Sequence, residues 1–312
     1  MKRLRLPGLP ESIGRIGLGC MRLTPELEAE ADAVLDTYLD GGGNLLDTAE
    51  IYGGGKSESA IGNYLRKSGR RSDAFVLTKG CVEPYLVRPE YIRCAIQRSL
   101  ERLQVDSIDL YLLHRDDPSV PVSELVDVLN EAIRRGHIRS LGGSNWSTSR
   151  LDEANQYAAA NGLSGFAASS PHLALAVPRE PWWGGCTHAT PEDLLWYAER
   201  KILVIGWSSQ CRGFFAKEPI AEPAYLAELI RVYYGRNNLE RRQRLLALAD
   251  KRGATPGQLA VAYVLSLDAP TAALVGPLSV GELSSLMLAD QIALSRGERA
   301  WLNLETAELP LD

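Results

Sequence analysis

The chain has 312 residues, 45% hydrophobic and 23% charged, with a formal net charge of −5. This is the mix of an ordinary globular protein, and it excludes wholesale disorder and the basic footprint of a general nucleic-acid binder. Apolar runs such as residues 202–206 fall far short of the roughly 20 residues that cross a bilayer, and the charged N-terminus has no apolar run behind it, so a cytoplasmic protein with no membrane partner is expected.

Short apolar strands alternate with amphipathic helices along the chain. Residues 16–19 read as the first strand and 43–48 as the second, with a helix pattern over 57–65 behind it. Residues 75–79 form the third strand. A helix over 89–103 follows, with Ile92, Ile96, Leu100 and Leu103 on one face and Pro89 in its first turn. Strands at 108–114, 138–144, 166–170 and 202–208 are interleaved with helices at 122–135, 149–160 and 191–200. Helices at 238–251 and 256–267, a last strand at 271–276 and a helix at 280–288 complete eight βα units. Such alternation implies a parallel sheet, and eight units in this length fit a closed barrel better than an open doubly wound sheet. Gly14-Arg15-Ile16-Gly17-Leu18-Gly19 is glycine-rich but lacks the GxGxxG spacing of a Rossmann fingerprint. Residues 173–190 and 213–237 read as long irregular connections, each after a strand's C-terminal end, the face where such barrels carry their sites. The five cysteines at 20, 81, 94, 186 and 211 have no CxxC spacing, so neither a disulfide framework nor a metal cluster is expected, and each reads as a small buried apolar residue.

Asp47, Lys79 and His114 stand at successive strand ends, with Tyr52 five residues beyond Asp47. Taken singly, each has an ordinary explanation: a turn residue, a solvated lysine, a structural imidazole, a packed ring. Together at one barrel mouth they suit proton transfer to an oxygen. An ammonium beside a phenol favours phenolate, which is expected to lower the Tyr52 pKa from near 10 toward neutrality. Asp47 would compensate Lys79, and His114 would donate to a carbonyl oxygen.

These residues resemble the aldo-keto reductases. The resemblance is carried by Asp47-Thr48-Ala49-Glu50-Ile51-Tyr52-Gly53, Thr78-Lys79-Gly80 and Leu112-Leu113-His114-Arg115. It continues in Gly17-Leu18-Gly19-Cys20-Met21, Gly143-Ser144-Asn145-Trp146, the stretch from Gly206 through Trp207 to Gly213, and Val275-Gly276-Pro277. It implies one (β/α)8 TIM-barrel domain over residues 1–312, with an N-terminal hairpin and long loops at the C-terminal face. It implies NAD(P)H as cofactor and an aldehyde, ketone or alcohol as the small-molecule partner. Tyr52 would be the general acid/base, with Asp47, Lys79 and His114 completing the tetrad. Gly19, Cys20, Met21 and Asp47 would border the cofactor, Ser144 and Asn145 would take the carboxamide, and Trp207 would stack on the nicotinamide. Ser208, Ser209, Gln210 and Arg212 would line the pyrophosphate, and Gly276, Leu278 and Ser279 the adenosine end.

Three places depart from the family pattern, one of them Ser285-Leu286, which stands where the family often has Glu-Asn for the adenine. Ser170 stands where many members carry a carboxamide-binding Gln, and Leu278 stands where NADPH-preferring members place Arg or Lys for the 2′-phosphate. Acceptance of NADH is therefore expected. On the substrate side, Arg22, Tyr52, His114, Arg115, Trp182 and Trp183 are the candidates. Tryptophans among polar groups suit a sugar or polyol; equally, both can pack the long loop onto the barrel. Two other classes stay open: a metal-dependent barrel hydrolase using His114, Asp116 and Asp117, and a non-catalytic, cofactor-binding redox sensor.

Overall fold

The computed structural model describes residues 1–6, 9, 11–216 and 222–309. Strand β1 (Arg3–Arg5) pairs antiparallel with β2 (Ser12–Gly14) as the expected N-terminal hairpin. The eight strands β3 (Ile16–Gly19), β4 (Leu45–Asp47), β5 (Phe75–Gly80), β6 (Leu110–Leu113), β7 (Leu141–Ser144), β8 (Ala168–Ser170), β9 (Leu203–Gly206) and β10 (Thr271–Val275) follow. They close into one all-parallel barrel, β10 pairing with β3.

Side chains of a strand alternate between two faces, and here each face has its own core. Leu45, Phe75, Leu77, Leu110, Leu112, Ala168, Leu203, Ile205, Ala272 and Leu274 fill the interior, and Leu6 and Ile13 of the hairpin segment join them. The filling is tight: a Cβ on Gly17 would come within 2.7 Å of both Leu45 and Leu274. Alternate residues such as Leu46, Val76, Tyr111, Leu141 and Val204 face outward into a second core with the helices.

The helices are α1 (Glu28–Asp40), α2 (Lys56–Ser68), α3 (Pro89–Leu103), α4 (Val122–Arg134), α5 (Thr148–Ala160), α6 (Pro191–Arg200), α7 (Pro223–Tyr233), α8 (Arg236–Arg252), α9 (Pro256–Leu265), α10 (Val280–Met287) and α11 (Arg296–Leu302). Three of these correct the sequence reading. Residues 213–237 are not irregular throughout: Pro223 opens α7, the Glu222 carboxylate caps it by accepting from the Ala224 and Tyr225 amides, and Leu229, Val232 and Tyr233 are buried. Residues 217–221 of that stretch lie outside the described residues. Residues 28–40 and 296–302, outside the expected helices, fold as α1 and α11. Several strands are shorter than expected, β4 spanning Leu45–Asp47 where 43–48 was read. The cysteines also differ from expectation: Cys20, Cys81 and Cys211 are buried, but Cys94 is exposed and Cys186 half-buried.

Candidate functional site

The interior parity of each strand leads directly to the polar residues at its end. Beyond Leu45 comes Asp47; beyond Phe75 and Leu77, Lys79; beyond Leu110 and Leu112, His114; beyond Leu203 and Ile205, Trp207. The barrel thus stacks apolar layers below and a polar layer at its C-terminal mouth. Past β4 the chain stays beside β5, the Thr48 amide donating to Leu77 O (2.8 Å) and the Glu50 amide to Lys79 O (2.9 Å). A turn with positive φ at Gly53, Gly54 and Gly55 then reverses it into α2, leaving Tyr52 over Lys79.

Lys79 is 2% exposed and spends its ammonium on three oxygens. Its Nζ lies 2.6 Å from Asp47 Oδ1, an ion contact outside ordinary hydrogen-bond angles. It donates to Thr48 O at 2.8 Å and to the Tyr52 hydroxyl at 3.2 Å. The His114 ring stands edge-on to Tyr52 with centroids 6.0 Å apart, and its buried Nδ1 has no protein partner. All four tetrad residues therefore meet at one place.

Burial is the largest influence on each group. It pushes the Asp47 carboxyl up, against the ammonium, and burial opposes the Lys79 charge, which Asp47 and Tyr52 more than restore, leaving that pKa raised. Tyr52 corrects the sequence expectation. Lys79 does pull the phenol down, but enclosure of the hydroxyl pushes harder, and its pKa ends above the usual 10. Burial, then the Lys79 and Arg115 charges, hold His114 well below the usual imidazole range. At neutral pH the site presents a phenol that keeps its proton and a neutral imidazole.

A second set of polar residues lies one step behind, and the sequence reading missed it. The Thr48 and Ser57 hydroxyls meet at 2.7 Å, and Ser57 donates to Cys20 O at 2.7 Å. Thr78, facing outward beside Lys79, donates to Glu58 Oε1 at 2.6 Å, and Arg102 pairs with the other Glu58 oxygen at 3.2 Å. Glu50 accepts the Cys81 amide at 2.8 Å and pairs with Arg98 at 3.1 Å. These contacts tie α2 and α3 to the end of β5. A carboxylate at 58, on the helix face shared with Ile61 and Leu65, was the available signal.

The family model for the aldo/keto reductase family matches residues 15–298. The chain belongs to the aldo/keto reductase family. An aldo-keto reductase of Strobilurus tenacellus, str7, is 29% identical over 97% of this chain and 92% of its own length. The Schizosaccharomyces pombe aldo-keto reductase yakc [NADP(+)] is 30% identical over 82% of this chain and 77% of its own. The glycerol dehydrogenase AKR11B4 from Gluconobacter oxydans superposes with a TM-score of 0.77 at 25% identity, covering 99% of this chain and 97% of that one. The protein is accordingly an NAD(P)-dependent oxidoreductase. Among the described residues no three His, Cys, Asp or Glu side chains gather to hold a metal, and no helix is long and apolar enough to cross a membrane.

The residues expected to border a nicotinamide dinucleotide lie around this mouth. Ser144 ends β7, and Asn145 follows in a left-handed conformation (φ 60°) with its amide 2.9 Å from Ser144 Oγ. Trp207 is half-exposed and braced by the edge of His172 at 5.0 Å and by Trp183 at 6.0 Å. Gly19 passes so close to β10 that a Cβ would sit 3.2 Å from Val275 O, and the buried Arg212 Nε lacks an acceptor. Ser208 and Arg212 hold left-handed turns, with Gln210 between them and Met21 exposed on the first loop. Gly276 is open around its Cα, and Ser279 caps α10. Several of the named side chains already have partners: Ser144 Oγ donates to Ser170 O at 2.9 Å, and the Asn145 side chain bridges Ser144 Oγ, His114 O and the Thr187 amide. Ser170 Oγ donates to Ile205 O, Ser209 Oγ to Leu274 O, and the buried Cys20 thiol to Leu18 O.

The substrate candidates divide. Arg22 is exposed, while Arg115 lies buried under the loop at Cys186. Trp182 and Trp183 stack on the Arg212 guanidinium at 4.5 and 5.0 Å, with Tyr225 of α7 at 5.6 Å. That cation–π box joins the loop after β8, the loop after β9 and α7.

His172, buried against Trp207 and 2.8 Å from the Tyr233 hydroxyl, carries a stability consequence. Burial holds its pKa at about 3. An unfolded imidazole titrates near 6.5, so between those values the unfolded chain binds a proton that the fold refuses. Stability from this group is complete above about pH 6.5 and is lost as pH falls, by up to about 1.4 kcal/mol per unit. His114 has the same sign. His172→Gln keeps a partner for Tyr233 and should flatten the loss between pH 7 and pH 5 in urea unfolding. An unchanged slope would assign that loss to other groups.

Proposed function

We propose that the enzyme reduces a small hydroxylated aldehyde or ketone, of the sugar or polyol class, to its alcohol, and runs the reverse oxidation at high pH. The observation that carries this reading is the Lys79 ammonium shared between Asp47 (2.6 Å) and the Tyr52 hydroxyl (3.2 Å), with neutral His114 beside it. Ser144, Asn145 and Trp207 would hold the nicotinamide end of the cofactor, which supplies hydride when bound. This chain's own part is the proton. The substrate oxygen sits between Tyr52 and His114; the imidazole orients it, and the phenol hands over its proton as negative charge develops there. Lys79 then faces the resulting phenolate and stabilises it. The likeness to a glycerol dehydrogenase supports the polyol class. The test is turnover of glyceraldehyde and of simple aldehydes by the pure protein with NADH and NADPH, followed at the cofactor absorbance. No turnover with either cofactor would overturn the reading.

NADH is expected to serve at least as well as NADPH. Leu278 is 72% exposed and offers no charge. Its amide is already taken by Glu282 Oε2 at 2.7 Å, and the Glu282 amide by Ser279 Oγ at 3.1 Å. A carboxylate thus occupies the start of α10, where a 2′-phosphate would look for donors, and repels it. The Schizosaccharomyces pombe relative is named for NADP(+); position 278 and Glu282 argue for the other dinucleotide here. Leu278→Arg should move preference toward NADPH by about 1.5–3 kcal/mol, one charge-assisted hydrogen bond. Fluorescence titration with both cofactors checks this. Wild-type protein binding NADPH a hundredfold tighter than NADH would overturn it.

A further inference from the structure

The acids around the barrel mouth are neutralised. Asp47 pairs with Lys79 at 2.6 Å, Asp116 with Arg150 at 3.1 Å, Asp117 with Arg88 at 2.7 Å and Glu180 with Arg231 at 3.0 Å. Arg115 has no such partner. It follows His114 directly, is 8% exposed, and has no carboxylate within 4.0 Å among the described residues. Its guanidinium donates to His114 O at 2.9 Å and to Cys186 Sγ at 3.2 Å. A guanidinium has five N–H donors, a thiol is a weak acceptor, and a buried charge is ordinarily paired. The site therefore holds a positive charge whose present acceptors are a neutral carbonyl and a sulfur.

The cofactor does not account for it. Arg115 shares His114 O with the Asn145 amide, which reaches it at 3.3 Å, so it stands at the carboxamide end of the reading above. In that reading the pyrophosphate falls to Arg212, the cation stacked on Trp182 and Trp183. An oxidised nicotinamide is itself cationic and gains nothing from a second cation nearby. The substrate is the remaining source of negative charge. A cavity of about 180 Å³ adjoins Trp207 and is walled by Cys186, Thr187, His188, Arg179 and Glu180, the last paired with Arg231; Arg115 stands directly behind its Cys186 wall, 3.2 Å from the sulfur. Arg179 donates to Tyr234 O and likewise has no carboxylate partner among the described residues. The Thr187 amide bonds Asn145 Oδ1 at 3.3 Å, so this cavity and the catalytic mouth share a wall.

We propose that the carbonyl substrate carries a compact anionic group, a carboxylate or a phosphate monoester, held by Arg115 at the wall formed by Gly185 and Cys186. This rests on the carbonyl-reductase reading and names its substrate class. A planar guanidinium meets either anion with two parallel hydrogen bonds, stronger than those it makes to a carbonyl or a thiol.

The test compares kcat/KM within two pairs: glyceraldehyde with glyceraldehyde 3-phosphate, and butanal with succinic semialdehyde. The charged member of at least one pair should exceed its neutral partner by about tenfold or more, as a charge-assisted pair implies. A preference confined to one pair identifies phosphate or carboxylate as the group read. Arg115→Met should bring that ratio close to one, and Arg115→Lys should keep part of it. Because Arg115 also packs under the loop, the wild-type enzyme supplies an independent readout: inorganic phosphate or succinate should inhibit glyceraldehyde reduction competitively with the aldehyde. Equal turnover of charged and neutral members in the wild type overturns the proposal, as does a ratio that survives Arg115→Met. Turnover of none of the four overturns the reductase reading, and this inference with it.

Discussion

Tyr52→Phe should lower the rate of carbonyl reduction by about 10²–10⁴-fold, the contribution of a positioned general acid. The substitution removes one oxygen whose protein partner is Lys79 Nζ, and it keeps the ring that packs edge-on to His114. Cofactor affinity and thermal stability should therefore hold nearly constant, so the loss should appear in kcat and in single-turnover rate. The raised Tyr52 pKa adds a pH signature to the wild type. A phenol that stays protonated through neutral pH makes reduction insensitive to pH from about 6 to 9, because the acid is in its working form across that range. Oxidation needs phenolate and should rise with pH over the same range. Near-wild-type reduction by Tyr52→Phe, or oxidation that declines as pH rises, would remove Tyr52 from the proton-transfer role.

The tetrad was legible in the sequence because strand alternation fixes direction. Leu45 and Asp47 share a face, as do Phe75, Leu77 and Lys79, so an apolar run that terminates in a polar residue of matching parity points that residue into the mouth. Ser144, Ser170 and Trp207, which came from the resemblance to the aldo-keto reductases, follow the same parity. Parity says nothing about depth, and depth decided the Tyr52 pKa: the neighbouring ammonium was visible, the desolvation that outweighs it was not. Helix α7 escaped because it follows a long connection, although Glu222-Pro223 is a recognisable start and Leu229, Val232 and Tyr233 keep helical spacing. Arg212 shows a different limit. Its aromatic box draws Trp182, Trp183 and Tyr225 from separate loops and a helix. No periodicity links those positions, so only the fold brings them together. The same holds for Arg115 and Cys186, whose contact closes the long loop onto the end of β6.

Lys79→Met should be costly twice over, in stability and in rate. Among the described residues the ammonium is the one cation paired with Asp47, and both side chains are almost fully buried. Removing one partner of such a pair leaves a carboxylate with nothing to offset its desolvation, a loss of about 3–5 kcal/mol. Asp47 relieves part of that by binding a proton. Its pKa, already raised by burial, loses the one influence that lowers it, so the variant should gain stability as pH falls from 7 toward 5, opposite in sign to the histidines. Adding Asp47→Asn should recover a good part of the loss, since an amide needs no counter-charge. The rate should not recover. Without the ammonium the phenol pKa climbs further, because Lys79 is the largest influence pulling it down. The rise of oxidation with pH should then shift to higher pH in both the single and the double variant. A double variant that regains stability while its oxidation profile stays displaced separates the two roles of Lys79: neutralising Asp47, and tuning Tyr52. A single variant whose profile coincides with the wild type would show that the phenol takes its pKa from burial alone.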